Sequence, residues 1–255
     1  VACVVDTAPR MLLRQENRTR LDEVQDIASK LFEKLPPESK IAIVDTGDGG
    51  ASFSPSAVVA ANRIERLTAG ASSVNLATAM NDAVRLLESS DIGRRELYVF
   101  TDLSHGGWEQ PVEADWDTLH PSVNLVFIDV SATHPQDFML ESLELSAERL
   151  TVGSPLNVSV TTRRVGPESA RSVAVEFQDQ EGGFVRRGEK PVVWKDGEEQ
   201  EVRFEINGLE PGVHQGRVLI EGGDGLPVDD SIEFTVDVGP PTRVLVASPE
   251  PVGTT

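Results

Sequence analysis

A single cysteine, Cys3, in 255 residues excludes an internal disulfide and any cysteine-built metal cluster. Positive charge is also scarce: 23 Lys and Arg stand against 42 Asp and Glu, a formal net charge of -19. So acidic a chain is repelled by nucleic acid and by anionic membrane surfaces, and neither is expected as a partner. No stretch approaches the ~20 apolar residues that a bilayer span requires. The four histidines, at 105, 120, 134 and 214, show neither HExxH nor paired ligand spacing. There is no Gly-x-Ser-x-Gly elbow for a hydrolase nucleophile and no glycine-rich phosphate loop after any strand-like run.

What remains is a chain with the balance of an ordinary soluble protein, 39% hydrophobic and 25% charged, and long enough for two domains with real cores. It starts without methionine inside a strand-like run and stops in Pro249-Glu250-Pro251-Val252-Gly253-Thr254-Thr255. It is therefore expected to be a fragment, with any membrane or signal segments outside it.

The opening stretch organises the rest. Val1-Ala2-Cys3-Val4-Val5 is a continuous small or β-branched apolar run that meets Asp6 and then a turn-prone Thr7-Ala8-Pro9. Such a run reads as a strand buried on both faces of a parallel sheet, with Cys3 as a small core residue. Ligands of open α/β sheets meet the carboxyl ends of strands, where Asp6 falls. A solvated strand-end acid is the plainer alternative.

Thr19 with Asp22 has the form of a capping box, and Leu21, Val24, Ile27, Ala28 and Leu31 recur at helical spacing up to Pro36-Pro37. Ile41-Ala42-Ile43-Val44 predicts a second buried strand, closed by a turn at Asp45-Thr46-Gly47-Asp48-Gly49-Gly50. Ser54-Pro55 predicts the cap and first turn of a helix through Val58, Ala61, Ile64 and Leu67. A third helix has Ala79, Met80, Ala83, Leu86 and Leu87 on its inner face. Strands follow at Glu96–Asp102 and Asn124–Val130, with Trp108, Val112, Trp116 and Leu119 at helical intervals between them. Alternation of this kind means α/β architecture, a doubly wound and mostly parallel sheet with right-handed crossovers, over residues 1–135.

Three phrases carry a family likeness. Asp6, Ala8 and Arg10, followed by Met11, stand where the von Willebrand factor A (vWA) family writes Asp-x-Ser-x-Ser and usually Met. Val74-Asn75-Leu76 stands where that family brings a threonine, and Thr101-Asp102-Leu103 where it writes Thr-Asp-Gly. The first half thus resembles a vWA domain with a Rossmann-like sheet. The resemblance implies a site for a hard divalent cation built from five oxygen-bearing side chains, of which only Asp6 and Asp102 are kept. Ala8 and Val74 offer no oxygen, and Arg10 brings a permanent positive charge. No metal and no other cofactor is therefore expected. Arg10 is expected to pair with Asp6 and Asp102 in the metal's place, since two unpaired acids at one crevice repel. The alternative turns Arg10 to solvent and leaves the acids hydrated.

After Val130 helical periodicity gives way to about seven short alternating strands separated by Gly, Pro and Asp clusters. This predicts an all-β immunoglobulin-like sandwich over residues 140–238, and its phrasing resembles CARDB-type adhesion modules. Ser131–Asp137 reads as a polar connector. Asp224, Asp229 and Asp230 could bind calcium, though such clusters are usually solvated loops. Residues 239–255 read as a Gly-Pro-Pro linker with Arg243–Ser248 as the possible start of a third, truncated α/β domain.

A strand ending in Asp6 also invites a phosphoaspartate reading, but Ala8 stands where the second aspartate of haloacid-dehalogenase-type enzymes is needed. The pairing of modules is similar to that of bacterial proteins related to the BatA group. That similarity implies a membrane-anchored, extracytoplasmic, non-enzymatic protein that binds other proteins, with the anchor in segments absent from this chain. The competing expectation is an enzyme or a small-molecule or metal binder using the Asp6/Asp102 crevice.

Overall fold

The computed structural model describes residues 1–47, 50–70, 74–91, 93–104 and 120–241. The chain divides into two compact units, Val1–Pro135 and Gln136–Thr255. The expected helix carrying Trp108, Val112, Trp116 and Leu119, the residue His105 and the run Arg243–Ser248 lie outside the described residues.

The first unit is built on four parallel strands, β1 (Ala2–Val5), β4 (Ala42–Asp45), β5 (Arg95–Thr101) and β6 (Val123–Asp129), in the order β4-β1-β5-β6. Side chains alternate across a strand, so the apolar run of β1 feeds two cores. Val1, Cys3 and Val5, with Tyr98 and Phe100, pack on Leu21, Val24, Ala28 and Phe32 of α1 (Arg20–Lys34) and on Ala60 and Ile64 of α2 (Ala57–Glu65). Ala2, Val4, Leu97 and Val99 pack on the other side against Leu76, Ala79, Met80, Ala83, Val84 and Leu87 of α3 (Leu76–Glu88). The sheet is doubly wound. Cys3 is fully buried, and burial pushes its thiol up to about 12, so it is a core residue at neutral pH.

Local signals explain most element ends. Thr19 and Asp22 form the reciprocal capping box at the start of α1, and Leu35 before Pro36 closes it. The second helix departs from expectation. Its cap is Ser56, whose Oγ accepts from the Val59 N–H at 3.3 Å; Ser54 and Pro55 lie before it. Pro55 would have fixed the first turn, but the second serine is the one that offers an acceptor to it. Val58 consequently faces out, 68% exposed, and Leu67 lies past the helix end. A small hairpin, β2 (Arg14–Gln15) with β3 (Arg18–Thr19), turns through Glu16 and Asn17 at positive φ. No apolar alternation announces it.

The second unit stacks a five-stranded sheet on a three-stranded one. Its strands are β7 (Asp137–Leu145), β8 (Arg149–Thr151), β9 (Leu156–Val165), β10 (Ser169–Gln178), β11 (Phe184–Trp194), β12 (Glu199–Ile206), β13 (Gly212–Ile220) and β14 (Ser231–Gly239). The sheets run β11-β10-β13-β14-β8 and β12-β9-β7, an immunoglobulin-like arrangement. One core joins both inner faces: Val173, Val175, Phe177 and Val218 meet Leu156, Val158, Val202 and Phe204. Trp194 is fully buried, and its Nε1–H donates across the sandwich to Thr162 Oγ1 at 2.9 Å. Asp137 opens β7, so the supposed connector ends one residue earlier than the sequence suggested. The three-residue β8, too short to show alternation, joins β14 in parallel.

Candidate functional site

Numbered by appearance, the parallel strands run second, first, third, fourth, so the order reverses between β1 and β5. A crevice opens at the carboxyl ends of strands at such a reversal. Asp6 follows β1 and Asp102 follows β5, and the Asp6 N–H donates to Phe100 O at 3.0 Å. Both aspartates are buried, at 1% and 5% exposure.

Arg10 reaches them because of the turn it sits in. Pro9–Leu12 forms one 3-10 turn with Pro9 at its start, where a missing N–H costs nothing, and Met11 anchors it in the core. The Met11 N–H donates to Ala8 O at 2.9 Å and the Leu13 N–H to Arg10 O at 3.1 Å. The turn places Arg10 back over β1. Its Nη2 donates to Asp6 Oδ2 and its Nε to Asp102 Oδ1 at 3.1 Å. One guanidinium thus bridges the two carboxylates.

A second cation joins them. Arg20 Nη1 donates to Asp102 Oδ2 at 2.5 Å and to Arg10 O at 3.1 Å. Arg20 is the first residue of α1, where the helix dipole disfavours positive charge. That conflict is the sequence signal for it: a base placed against the dipole directly after a strong cap must be held by an acid elsewhere. Sequence spacing does not reveal its partner, because Asp102 is 82 residues away.

The remaining acceptor capacity is occupied as well. The Ala8 N–H donates to Asp6 Oδ1 at 3.0 Å, and Ser104 donates to Asp102 Oδ1 through Oγ at 2.8 Å and N–H at 3.2 Å. Burial is the strongest influence on both acids and acts upward. For Asp6 it prevails over the Ala8 N–H and Arg10, and the carboxyl is raised. For Asp102 the combined pull of Arg20, Ser104 and Arg10 outweighs burial, and the carboxyl is held below its ordinary value. Arg20 is the largest of the causes that lower Asp102.

Of the five positions expected to bear on a cation, the structure brings together Asp6, Arg10 and Asp102. Ala8 contributes only its backbone N–H, and the Val74 N–H donates to Thr46 O at 3.2 Å. Two buried hydroxyls nearby went unnoticed in the sequence: Thr46 Oγ1 accepts from the Thr7 N–H at 2.9 Å and lies 3.1 Å from Thr7 Oγ1. They tie the ends of β1 and β4 to each other. Two carboxylates with two guanidiniums have no net formal charge, and nothing in that set attracts a hard cation. The residues present do not fit a metal.

Among solved structures, the chain is similar to the CARDB domain of the PF1109 protein from Pyrococcus furiosus. The crystal structure of that domain, in complex with di-metal ions, is 15% identical with a TM-score of 0.34, over 40% of this chain and 88% of that one. Its solution structure is 15% identical with a TM-score of 0.35, over 42% and 98%. A β-glucosidase from Listeria innocua in complex with isofagomine is 16% identical with a TM-score of 0.31, over 93% and 46%. Likenesses this slight establish no shared activity. No curated protein matches the chain. Residues 1–106, which carry Asp6, Arg10, Arg20 and Asp102, match the family model of the von Willebrand factor type A domain.

Proposed function

We propose that the first unit is a vWA-type protein-binding module in which Arg10, seconded by Arg20, stands in for the divalent cation. The observation that supports this most is the bridge itself: one guanidinium ion-paired with Asp6 and Asp102 where the sheet order reverses. Here the acids are neutralised from within, so capture of a partner needs no metal. The same neutralisation leaves neither carboxylate placed as a nucleophile or general base, and the function is non-enzymatic.

Joined to an immunoglobulin-like sandwich, the module serves as a protein-interaction scaffold of the BatA-like, membrane-anchored and extracytoplasmic kind. No helix among the described residues is long and apolar enough to cross a membrane. The anchoring part of the proposal therefore concerns sequence outside the 255 residues. The coding sequence upstream of Val1 tests it: two hydrophobic spans support it, and their absence overturns it.

The metal-free reading is tested by calorimetric titration with millimolar Mg²⁺ and Mn²⁺, comparing wild type with Asp6→Ala. No saturable site dependent on Asp6 is expected. A site that Asp6→Ala abolishes overturns the reading.

A further inference from the structure

The second unit folds four acids together that would repel one another if all were ionised. Asp137 opens β7, while Asp224, Asp229 and Asp230 lie on the connection from β13 to β14. Asp137 is 5% exposed and Asp230 9%. Short bonds nonetheless tie the two segments. The Phe138 N–H donates to Asp224 Oδ2 at 2.7 Å and the Leu140 N–H to Asp229 O at 2.9 Å. The connection is also closed on itself and on β13: the Leu226 N–H donates to Asp224 Oδ1 at 2.9 Å, and the Ile220 N–H to Asp230 O at 2.9 Å.

The charged groups that face these acids from the neighbouring strands are engaged elsewhere. Arg164 on β9 and Arg171 on β10 lie over the Phe138 ring, at 4.1 and 4.4 Å from its centroid. Arg164 donates to Pro167 O at 3.2 Å, and Arg171 to Glu221 O at 3.2 Å and Gly223 O at 2.8 Å. Arg171 therefore holds the connection by its backbone, not by its carboxyls. Asp196, between β11 and β12, accepts from the Gly166 N–H at 2.8 Å, and the Glu221 side chain turns to Arg186. Among the described residues, no three acidic, histidine or cysteine side chains converge on one ion position, so a calcium ion does not answer the charge. The Oδ1 atoms of Asp137, Asp229 and Asp230 are left buried with no hydrogen-bond partner among the described residues. A buried carboxylate without donors is costly, whereas a protonated carboxyl is neutral and brings a donor of its own.

We propose that these four acids form a proton-operated latch: protonated carboxyls hold the start of β7 to the β13–β14 connection, and loss of their protons loosens it. Burial, and then the charges of Asp229 and Asp224, raise Asp137 well above the usual carboxylate range. Burial is also the largest cause at Asp229, pushed up to about 7, and at Asp230, pushed up to about 6. A carboxyl raised by folding stabilises the fold fully below its ordinary value of about 4 and loses that contribution as pH rises through the folded value. The latch is therefore closed in mild acid and loosens as pH passes about 6 and then about 7. Since β7 follows directly on the polar connector at residues 131–136, freeing its first residues lengthens that connector.

The test uses the whole purified chain between about pH 5 and about pH 8.5, with two readouts. Carboxyl ¹³C shifts follow the protonation of each aspartate, and hydrogen exchange follows the amides of Phe138, Leu140 and Ile220 that make the tying bonds. Corrected for the intrinsic rate, protection of these amides should fall by about tenfold or more over the range, because each extra proton held by the closed form is worth up to about tenfold per pH unit. Amides of β1 and β5 in the first unit should keep their protection. Asp137→Asn and Asp229→Asn each put a neutral side chain with its own donor in place of an acid, so each should flatten the fall. At about pH 8.5 both variants should be better protected than wild type, which a merely structural role for either acid would not produce. Four carboxyls that all titrate below about pH 5 overturn the proposal, as does wild-type protection that does not change with pH. A fall of wild-type size in both variants overturns it too. The wild-type titration decides even where a substitution prevents folding.

Discussion

Arg10 is the residue whose removal should be felt most at the crevice, because Asp6 and Asp102 both depend on it. Breaking a buried pair costs about 3–5 kcal/mol and an exposed one about 0–1. With the Arg10 side chain 23% exposed, Arg10→Ala should cost on the order of 1–2 kcal/mol at neutral pH in denaturant melts. The pH dependence has a definite sign. Asp102, held below its ordinary value, contributes stability above that value and loses it as pH falls through the folded pKa. Asp6, raised by burial, acts the other way: its contribution is present at low pH and lost as pH rises through the folded pKa. Removing Arg10 moves both acids upward, so the variant's deficit should be full at neutral pH and close as acid protonates them. Leu103 offers a second residue-scale prediction. It sits at φ +54, half exposed, where the vWA phrase has glycine. A left-handed non-glycine residue costs about 1–2 kcal/mol, and glycine's extra freedom in the unfolded chain returns about 0.4–1. Leu103→Gly should therefore raise stability by about 1 kcal/mol in the same melts. Asp6 and Asp102 were legible in the sequence because each follows directly on a strand-like run, and Arg10 because it stands at a position of the vWA phrase. Arg20 and the Thr7–Thr46 pair were not, since their partners come from distant segments that only the fold brings near.

Elements were legible where periodicity and capping agreed. The capping box and apolar repeat of α1, the inner face of α3 and the apolar runs of the four parallel strands were each plain in the sequence. Positions where two signals competed were misjudged by a few residues. Ser54 and Ser56 both precede an apolar face, and the choice between them depends on how Pro55 directs the chain. Asp137 is polar and reads as connector, yet it is the first residue of β7, buried because the β13–β14 connection folds over it. Packing inside the sandwich gives a sharper prediction. Gly216 lies buried on β13 against the Phe234 ring, which stands edge-on to Phe177 at 5.5 Å. A methyl group at that position would overlap the ring. Gly216→Ala should destabilise the chain by about 1–3 kcal/mol, visible as a lower melting midpoint with the first unit's crevice unaffected.

At the scale of the molecule, the switch in periodicity near Val130 corresponds to two units with separate cores. A unit with its own core should fold alone. Residues 1–135 and 136–241, expressed separately, should each unfold in one cooperative transition; failure of both to do so would show that neither core suffices by itself. The acidity of the chain speaks to partners, while the fold alone does not. What the molecule binds through its first unit depends on whether the crevice is closed by protein charge or open to a metal.

The most direct measurement of that question is a set of denaturant melts with and without Mg²⁺ on wild type and on a variant combining Ala8→Ser, Arg10→Ser and Val74→Thr. That variant restores three hydroxyls beside Asp6 and Asp102 and removes the bridging cation. A ligand bound only by the folded state raises stability in proportion to the logarithm of its concentration over Kd. Wild type should show no magnesium-dependent gain attributable to Asp6, and the triple variant should gain stability as Mg²⁺ rises. A wild-type gain that Asp6→Ala removes would contradict the account: the crevice would then be a working metal site with Arg10 displaced from it.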